Sequence, residues 1–412
     1  MAVPPKKRLA TYQRKRPSRN TAKRASPGSA PPCSADIGAY ASRLAGYAAR
    51  VISDDALCAG VRRWRGDPDL PVHVTARAPL PGSPGGSGAR FERVRLSVNG
   101  ETLSGVLKAI APDPICVTRE RRFYEELAVT LPARIPRAFA SGEIAGRTDG
   151  WVLLDEFPKG KRWRPARALD VAREIARVHA ATLGRVPEWL PRPFSRDLAK
   201  ALAHVPDGIA RLESLQQREP LLRGLASPRA LSLARALVGE LAPLARELAR
   251  SPECVVHRDL HHGNVWLPEE GAPILFDWEA VSAGPPIFDL TLLFQYLTIR
   301  QIRIPGRPDD VGFFRARTMA WRQLEGAYLE ALGNADTAAI ASAANGAFIW
   351  EAVYRLGWVA SQLEERPPRL SLRLARVPGL RALGHLGDRG AVCAAWQAMF
   401  ADFEHRAAAL LR

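Results

Sequence analysis

Residues 254–288 constrain the fold and chemistry of this chain more than any other stretch. An apolar pair at residues 255–256 leads into a polar segment that contains Asp259 and Asn264, and a second apolar run ends at Asp277. Short apolar runs of this kind are typical of buried strands, which predicts the polar side chains at strand ends or in loops. One carboxylate that can hold an attacking hydroxyl, with two further oxygen ligands for magnesium, is the set that phosphoryl transfer needs.

This stretch resembles the small-molecule phosphotransferases of the aminoglycoside phosphotransferase and choline kinase group. The resemblance implies a protein-kinase-like α+β fold, in which a small antiparallel β-sheet lobe with one helix precedes a larger, mainly helical lobe. It also implies ATP and Mg²⁺ as cofactors, catalysis by Asp259, and metal binding by Asn264 and Asp277. His257 and Asp289 are then expected to brace the loop. The matching positions are His257, Arg258, Asp259, Asn264, Asp277 and Asp289.

Residues 69–157 have the strand order expected of the nucleotide-binding lobe. Alternating apolar and polar residues predict strands on both sides of Asn99 and Gly100, a dipeptide typical of tight hairpins. The returning strand ends near Lys108, which the resemblance assigns to the phosphates of ATP. The lobe therefore has the strands and the lysine that a nucleotide site of this kind needs.

A glycine-rich segment at residues 81–88 precedes that lysine. The resemblance implies that Gly85, Gly86 and Gly88 cover the phosphates. The glycine cluster by itself is equally typical of a flexible surface loop. Its position upstream of Lys108 favours the nucleotide-binding interpretation.

A helix is predicted over residues 117–127, and its Glu120 is the expected partner of Lys108. Glu125 and Glu126 are alternative partners on the same helix.

Two further strands are predicted, at residues 138–144 and 151–154, and the second leads into Asp155, Glu156 and Phe157. The resemblance places these three residues at a hinge whose backbone groups contact adenine.

Residues 158–412 are predicted to form the helical lobe. A helix over residues 169–183 has His179 on its apolar face, where a histidine is usually a hydrogen-bonded core residue. Residues 195–250 indicate two or three helices. Other helices are predicted at residues 289–297, 313–332, 338–363 and 391–411.

The acceptor class depends on two departures from protein kinases. His261 stands where protein serine/threonine kinases have a lysine, and the interval from Asp277 to Asp289 is too short for an activation segment. Both features favour a small-molecule hydroxyl as the phosphate acceptor.

The acceptor's identity stays open between two kinds of pocket. Acidic side chains would indicate a polyamine such as an aminoglycoside, whereas an aromatic box would indicate a quaternary amine. Aromatic residues at helical spacing are also typical of ordinary core packing. The acidic candidates are Glu279, Glu325 and Glu351, and the aromatic candidates are Trp278, Trp321, Trp350, Tyr354 and Trp358.

The net charge of +17 is concentrated at the N-terminus. Nine Lys and Arg side chains precede the first acid, Asp36. Residues 1–35 are too polar to bury a core and are predicted to be a disordered basic tail. That tail is interpreted either as an electrostatic arm for nucleic acid or as a solvated extension. Residues 36–68 are predicted to be a helical segment that docks on the main body.

Five widely spaced cysteines contain no C-x-x-C pair, so neither a disulfide framework nor a zinc site is indicated. Neither a membrane span nor a secretory leader is expected, which predicts a cytoplasmic protein. The favoured function is an ATP- and Mg²⁺-dependent small-molecule phosphotransferase. The alternative is a kinase-like regulatory or nucleic-acid-associated binding protein that uses the tail.

Overall fold

The computed structural model describes ten segments of the chain. The predicted basic tail and the glycines Gly85, Gly86 and Gly88 lie outside them, as do residues 36–51 of the predicted N-terminal helical segment. The described segments are residues 52–80, 89–109, 119–143, 150–161, 167–219, 222–261, 263–301, 310–333, 336–365 and 385–412.

The small lobe is built on an antiparallel sheet with the strand order β1-β2-β3-β5-β4. The hairpin predicted at Asn99 and Gly100 is confirmed, because both residues have positive φ angles, 51° and 84°, and Val98 pairs with Glu101. The strands are β1 (Val72–Pro79), β2 (Arg90–Val98), β3 (Glu101–Ala109), β4 (Ala138–Glu143) and β5 (Gly150–Asp155).

Helix α1 (Asp54–Arg65) packs against one face of this sheet. The side chain of Ser53 caps its first turn, and Gly66 ends it in the left-handed conformation, as these residue types favour. The apolar side chains of the helix and the sheet form a separate small-lobe core. Its members include Leu57, Val61, Leu96, Leu107 and Trp151.

The segment after β3 is helical but is not the continuous α-helix that the sequence predicts. Residues 119–122 form one α-helical turn, which continues as a π-helical turn (Phe123–Leu127) and a 3₁₀ turn (Ala128–Thr130). The wider π turn accompanies a tertiary contact in which Phe123 stacks on Trp278 at 4.2 Å between ring centroids. The predicted α-helix is thus replaced by a π-helical turn at the position where Phe123 contacts the larger lobe.

The larger lobe is mainly helical, which confirms the two-lobe α+β fold. The described residues of the range 195–250 contain four helices, not two or three, and the single helix predicted over 338–363 is interrupted at Ala343. The helices are α2 (Ala168–Thr182), α3 (Leu198–Leu202), α4 (Val205–Arg218), α5 (Pro228–Gly239), α6 (Leu241–Leu248), α7 (Ile287–Gln301), α8 (Asp310–Leu332), α9 (Thr337–Ser342), α10 (Ala344–Glu365) and α11 (His385–Leu410).

Short antiparallel strand pairs hold the polar stretch between the two lobes. One pair joins β7 to β10, and a three-stranded arrangement has the order β6-β8-β9. These strands are β6 (Gly160–Lys161), β7 (Cys254–Val256), β8 (Val265–Pro268), β9 (Ile274–Leu275) and β10 (Ser282–Gly284). Within the described segments, no helix has the length and apolar character needed to cross a membrane.

Candidate active site

The loop between β7 and β8 is held by a buried carboxylate. Asp289, at the start of α7, accepts hydrogen bonds from the backbone N–H groups of His257 at 2.6 Å and Arg258 at 2.7 Å. Its side chain is fully buried, and Arg258 has a positive φ of 65°, which is uncommon for a residue other than glycine. Two charge-assisted hydrogen bonds therefore hold an unusual backbone conformation directly before Asp259.

A second connection joins this loop to the strand end that carries Asp277. The imidazole Nε2 of His257 donates to the carbonyl of Phe276 at 2.9 Å, because a carbonyl can only accept. Its Nδ1 then accepts the backbone N–H of Asp259 at 3.3 Å. One imidazole thus sets the position of Asp259 relative to Asp277.

His179 supports the same loop through its hydrogen bond to Asp289. Its Nε2 donates to the Asp289 carboxylate at 3.1 Å, and its Nδ1 lies 2.6 Å from the hydroxyl of Tyr328. The side chain is completely buried on α2. The prediction of a hydrogen-bonded core histidine is confirmed.

Asp259 lies among groups that favour its ionised form. The side-chain amide of Asn264 donates to its carbonyl and to its Oδ2, both at 3.0 Å, and His261 Nε2 lies 3.5 Å from Oδ2. Burial raises the pKa of this carboxyl, but the hydrogen bond to His261 and the charges of His261, Arg355 and His257 lower it below its ordinary value. With 34% of its side chain exposed, Asp259 is an accessible, ionised hydrogen-bond acceptor.

Lys108 and Glu120 are brought together between the lobes, as the resemblance implies. The ammonium of Lys108 lies 2.8 Å from Glu120 and 3.4 Å from Glu279, and it also contacts Asp277. Burial lowers the pKa of Lys108, but the three carboxylates raise it well above its ordinary value. The lysine therefore stays charged although its side chain is only 3% exposed.

Burial and the two neighbouring carboxylates change the acidity of Glu120. Burial and the negative charges of Asp277 and Glu279 raise its pKa to about 7, against the opposing effect of Lys108. Glu120 is fully buried, so its charged form depends on the lysine.

Three carboxylates of this cluster are close enough to share a cation. One oxygen each from Glu120, Asp277 and Glu279 lies within 4.8 Å of the others. Asp277 has a left-handed backbone with a φ of 68° and begins the 3₁₀ turn that carries Glu279. Hard oxygen ligands of this type suit Mg²⁺.

The β8–β9 hairpin also brings Asn264 next to the strand end that carries Asp277, because Val265 pairs with Leu275. The backbone N–H of Phe276 donates to the carbonyl of Asn264 at 3.1 Å. The two residues predicted as metal ligands therefore lie at the same end of this hairpin.

Comparison with known proteins agrees with this geometry. The sequence matches the phosphotransferase enzyme family over residues 82–326, which is more than half of the chain. The chain belongs to this family. No curated protein matches the sequence of the phosphotransferase significantly.

The chain is also similar, at low sequence identity, to several solved structures. Amicoumacin kinase, solved with AMP-PNP and Ca²⁺, is 13% identical over 76% of this chain and 87% of that chain, with a TM-score of 0.44. An aminoglycoside phosphotransferase from Streptomyces rimosus is 20% identical over 72% and 98% of the two chains, with a TM-score of 0.39. A macrolide 2′-phosphotransferase from Brachybacterium faecium is 16% identical over 79% and 98%, with a TM-score of 0.42.

The rival partners of Lys108 in the phosphotransferase have other contacts. Glu125 accepts a hydrogen bond from Ser141, and Glu126 pairs with Arg122 at 2.6 Å. Glu279, which the sequence offers only as a candidate for the acceptor pocket, and Asp277, predicted as a metal ligand, are two further partners of Lys108. Glu279 lies two residues after Asp277 in the sequence, which is the signal that could indicate its position.

The predicted hinge side chains have structural contacts in the phosphotransferase. Asp155 accepts the backbone N–H of Arg137 at 2.8 Å, and Glu156 pairs with Arg93. Phe157 packs against Phe276 at 4.9 Å between ring centroids. Backbone contacts of these residues with adenine stay a prediction.

The aromatic candidates divide between core packing and partial exposure. Trp278 and Trp350 are buried, so their rings belong to the core of the phosphotransferase and do not form an open box. Tyr354 stacks on Trp350 at 4.9 Å, and Trp358 lies edge-on to Trp396 at 6.5 Å. The structure supports core packing as the interpretation of the aromatic residues at helical spacing, Trp350, Tyr354 and Trp358.

Proposed function

We propose that this phosphotransferase transfers the γ-phosphate of ATP to a hydroxyl group of a small molecule, with Mg²⁺ as the metal. The observation that carries the proposal is the meeting of two groups of residues at one hairpin. Asp259 is hydrogen-bonded to Asn264, and Lys108 contacts Asp277. The imidazole of His257 joins the backbone of Asp259 to that of Phe276, the residue before Asp277. A charged lysine, an ionised base and oxygen ligands are the components of phosphoryl transfer.

Asp259 is the proposed base. It would orient the acceptor hydroxyl and take its proton as the new P–O bond forms and the bond from the γ-phosphorus to the leaving oxygen breaks. Its lowered pKa keeps it ionised at neutral pH, and the amide of Asn264 holds its carboxylate in place. The loop that carries Asp259 is already held in place by Asp289, which His179 supports.

Lys108 is proposed to bind phosphate oxygens, and Glu120 is proposed to position it. The ammonium is charged and enclosed, which suits an anionic ligand that replaces one or more of the present carboxylates. Gly85, Gly86 and Gly88 keep their predicted role over the phosphates. Asp155, Glu156 and Phe157 keep theirs at the adenine.

Magnesium fits the oxygen donors at the strand end. Asn264 and Asp277 are the proposed ligands, and the close oxygen atoms of Glu120 and Glu279 add negative charge beside them. When bound, Mg²⁺ would neutralise phosphate charge. A cytoplasmic location, where ATP is abundant, stays a prediction from the sequence.

The testing experiment is an ATP-consumption screen against aminoglycosides, amino alcohols, sugars and peptide antibiotics. We expect acceptor-dependent ADP release, with the product identified as a phosphate monoester by mass spectrometry. The matched control is Asp259→Asn, which should reduce turnover by about a hundredfold or more while leaving binding of an ATP analogue intact. Unchanged turnover in that variant would exclude Asp259 as the base.

A further inference from the structure

The carboxylate of Asp259 is held through one of its two oxygens. The side-chain amide of Asn264 donates to Oδ2 at 3.0 Å, and the imidazole Nε2 of His261 lies 3.5 Å from the same oxygen. Among the residues that the structure describes, none donates a hydrogen bond to Oδ1. A hydroxyl that approaches Asp259 therefore meets one oxygen that is already engaged and one that can accept its proton.

The imidazole of His261 is fixed by the backbone of its own loop. The N–H group of Gly263 donates to Nδ1 at 2.8 Å, so Nδ1 presents a lone pair there. The proton of the neutral imidazole is then on Nε2, the nitrogen that faces Asp259. A backbone contact thus makes the nearer ring nitrogen a donor toward the carboxylate.

The same ring occupies space that only a glycine at position 263 leaves. A Cβ atom built at Gly263 would lie 2.5 Å from Cε1 of His261 and 2.9 Å from its Nδ1. Carbon atoms in contact are about 3.5–4.0 Å apart, so a larger residue would displace the ring. The φ angle of Gly263 is not positive, so the missing side chain is what matters here and not backbone freedom.

Two different tasks for His261 are compatible with these contacts. Its Nδ1 and its carbonyl, which accepts the N–H group of Asn264 at 2.9 Å, close the turn after Asp259. Its Nε2 faces the carboxylate of Asp259 on the accessible side of the loop, where the two side chains are 24% and 34% exposed. Because the two tasks use different atoms of one residue, substitutions can separate them.

We propose that His261 is a positioning residue for the base: its Nε2–H group holds Oδ2 of Asp259, so that Oδ1 takes the proton of the acceptor hydroxyl. This inference rests on the proposed function and names the oxygen that acts in it. A carboxylate held at one oxygen keeps the other in line with the attacking hydroxyl, and orientation of this kind lowers the barrier. At 3.5 Å the contact is long, and hydrogen bonds in unliganded sites shorten when the reactants bind.

Two substitutions of His261 separate the tasks. In His261→Asn the shorter side chain can still accept the N–H group of Gly263, as in an Asx turn, but its amide cannot reach Asp259. In His261→Gln the amide nitrogen takes the place of Nε2, whereas the bond from Gly263 is lost. We expect kcat to fall about tenfold in His261→Asn, the factor for one hydrogen bond to a charged group, and to stay within about threefold of wild type in His261→Gln. The opposite order, or equal kcat values in the two variants, would overturn the proposal.

Turnover is measured as ADP release from MgATP with kanamycin, choline or glucose, whichever gives the highest acceptor-dependent rate in the wild-type chain. The KM for that acceptor, the affinity for AMP-PNP and the Mg²⁺ requirement should each change less than about twofold in His261→Asn, because the lost interaction is made to the base. His405→Asn, the same substitution at an exposed position of α11, is the matched control and should keep the wild-type kcat. A raised Mg²⁺ requirement in His261→Asn would show that residue 261 acts through Asn264 and would contradict the proposal.

A variant of the neighbouring glycine moves the ring without changing its chemistry. Gly263→Ala pushes the imidazole away from its present position and should lower kcat about fivefold or more, since small misplacements of catalytic groups are costly. Binding of AMP-PNP should be retained, which shows that the variant is folded. A wild-type kcat in Gly263→Ala would contradict the proposal.

The nitrogen resonances of histidine test the contact without any turnover. In the full chain with isotope-labelled histidine, the signals that disappear in His261→Asn identify this ring, and they should show a protonated Nε2 and an unprotonated Nδ1. The Nε2 signal should move in Asp259→Asn. A protonated Nδ1, or an Nε2 signal that is unchanged in Asp259→Asn, would overturn the proposal. Absence of ADP release with every compound of the acceptor screen would contradict the proposed function instead, and the resonances would still decide whether His261 donates to Asp259.

Discussion

The ammonium of Lys108 contacts the carboxylate of Asp277 directly. The side chain proposed to bind phosphate and the side chain proposed to bind metal therefore neutralise each other across the boundary between the lobes. Binding of a magnesium nucleotide has to replace this contact with two others, lysine to phosphate and aspartate to metal. The two sites are expected to be coupled, because each ligand releases the residue that the other one needs.

Asp277→Asn should weaken metal binding more than nucleotide binding. The amide keeps the shape of the side chain but loses the charge that attracts Mg²⁺. The loss should be at least the roughly 10- to 100-fold in metal affinity that removing a ligand's supporting partner costs. Titration of activity with Mg²⁺ measures it.

Asp336→Asn is the matched control for that substitution. Asp336 caps α9 through a side-chain hydrogen bond to Ala339, a role that asparagine performs equally well. Equal magnesium requirements in Asp277→Asn and the wild type would show that Asp277 is not a ligand.

Nucleotide affinity should fall as the pH drops through about 7, the raised pKa of Glu120. Above that pH the ionised carboxylate holds Lys108 in place; below it the neutral carboxyl holds the ammonium less firmly. Titration with a fluorescent ATP analogue across this range measures the effect. Glu120→Gln should flatten the profile, whereas Glu126→Gln, which removes a surface pair with Arg122, should not. A wild-type affinity independent of pH would contradict this assignment.

Asp289→Asn should destabilise the protein and loosen the loop before Asp259. An asparagine can accept only one of the hydrogen bonds from His257 and Arg258, and its amide opposes the other N–H group. We expect the free energy of unfolding to fall by about 1.5–3 kcal/mol, measured by urea denaturation.

Asp170→Asn is the control for this loss, because Asp170 pairs with Arg167 at the surface of α2. Its cost should stay within about 1 kcal/mol. Similar losses in both variants would show that the bonds from Asp289 are not special.

Gly208→Ala should separate two helices that touch through their backbones. A Cβ atom at Gly208 on α4 would overlap the backbone of Gly357 on α10. Overpacking of this kind costs about 2–3 kcal/mol, which thermal and urea denaturation measure. Gly239→Ala at the end of α5 is the control, since a Cβ there meets no atom within 4 Å. Equal stability of the two variants would disprove the close contact.

Local patterns were sufficient for much of the fold. The turn at Asn99 and Gly100 depends on two residues that tolerate positive φ angles, and the strands around it depend on alternation with a period of two. The same is true of the helix that carries His179, whose apolar face is visible in the spacing of its residues. Each of these patterns involves only a few neighbouring residues, so the sequence predicts the turn, the strands and the helix directly.

Residues 254–288 predicted the site for the same reason. Asp259, Asn264 and Asp277 lie within one segment, and the β8–β9 hairpin that joins them is itself local. The sequence by itself therefore determined the kind of fold, the candidate base and the candidate metal ligands.

Only the tertiary structure decided which distant residues meet. The stacking of Phe123 on Trp278 and the contact of Glu279 with Lys108 depend on how the two lobes pack. A charged residue has the same sequence signature whether it binds substrate or a neighbouring ion. Long-range packing supplies the partner, and the partner determines what the charge can do.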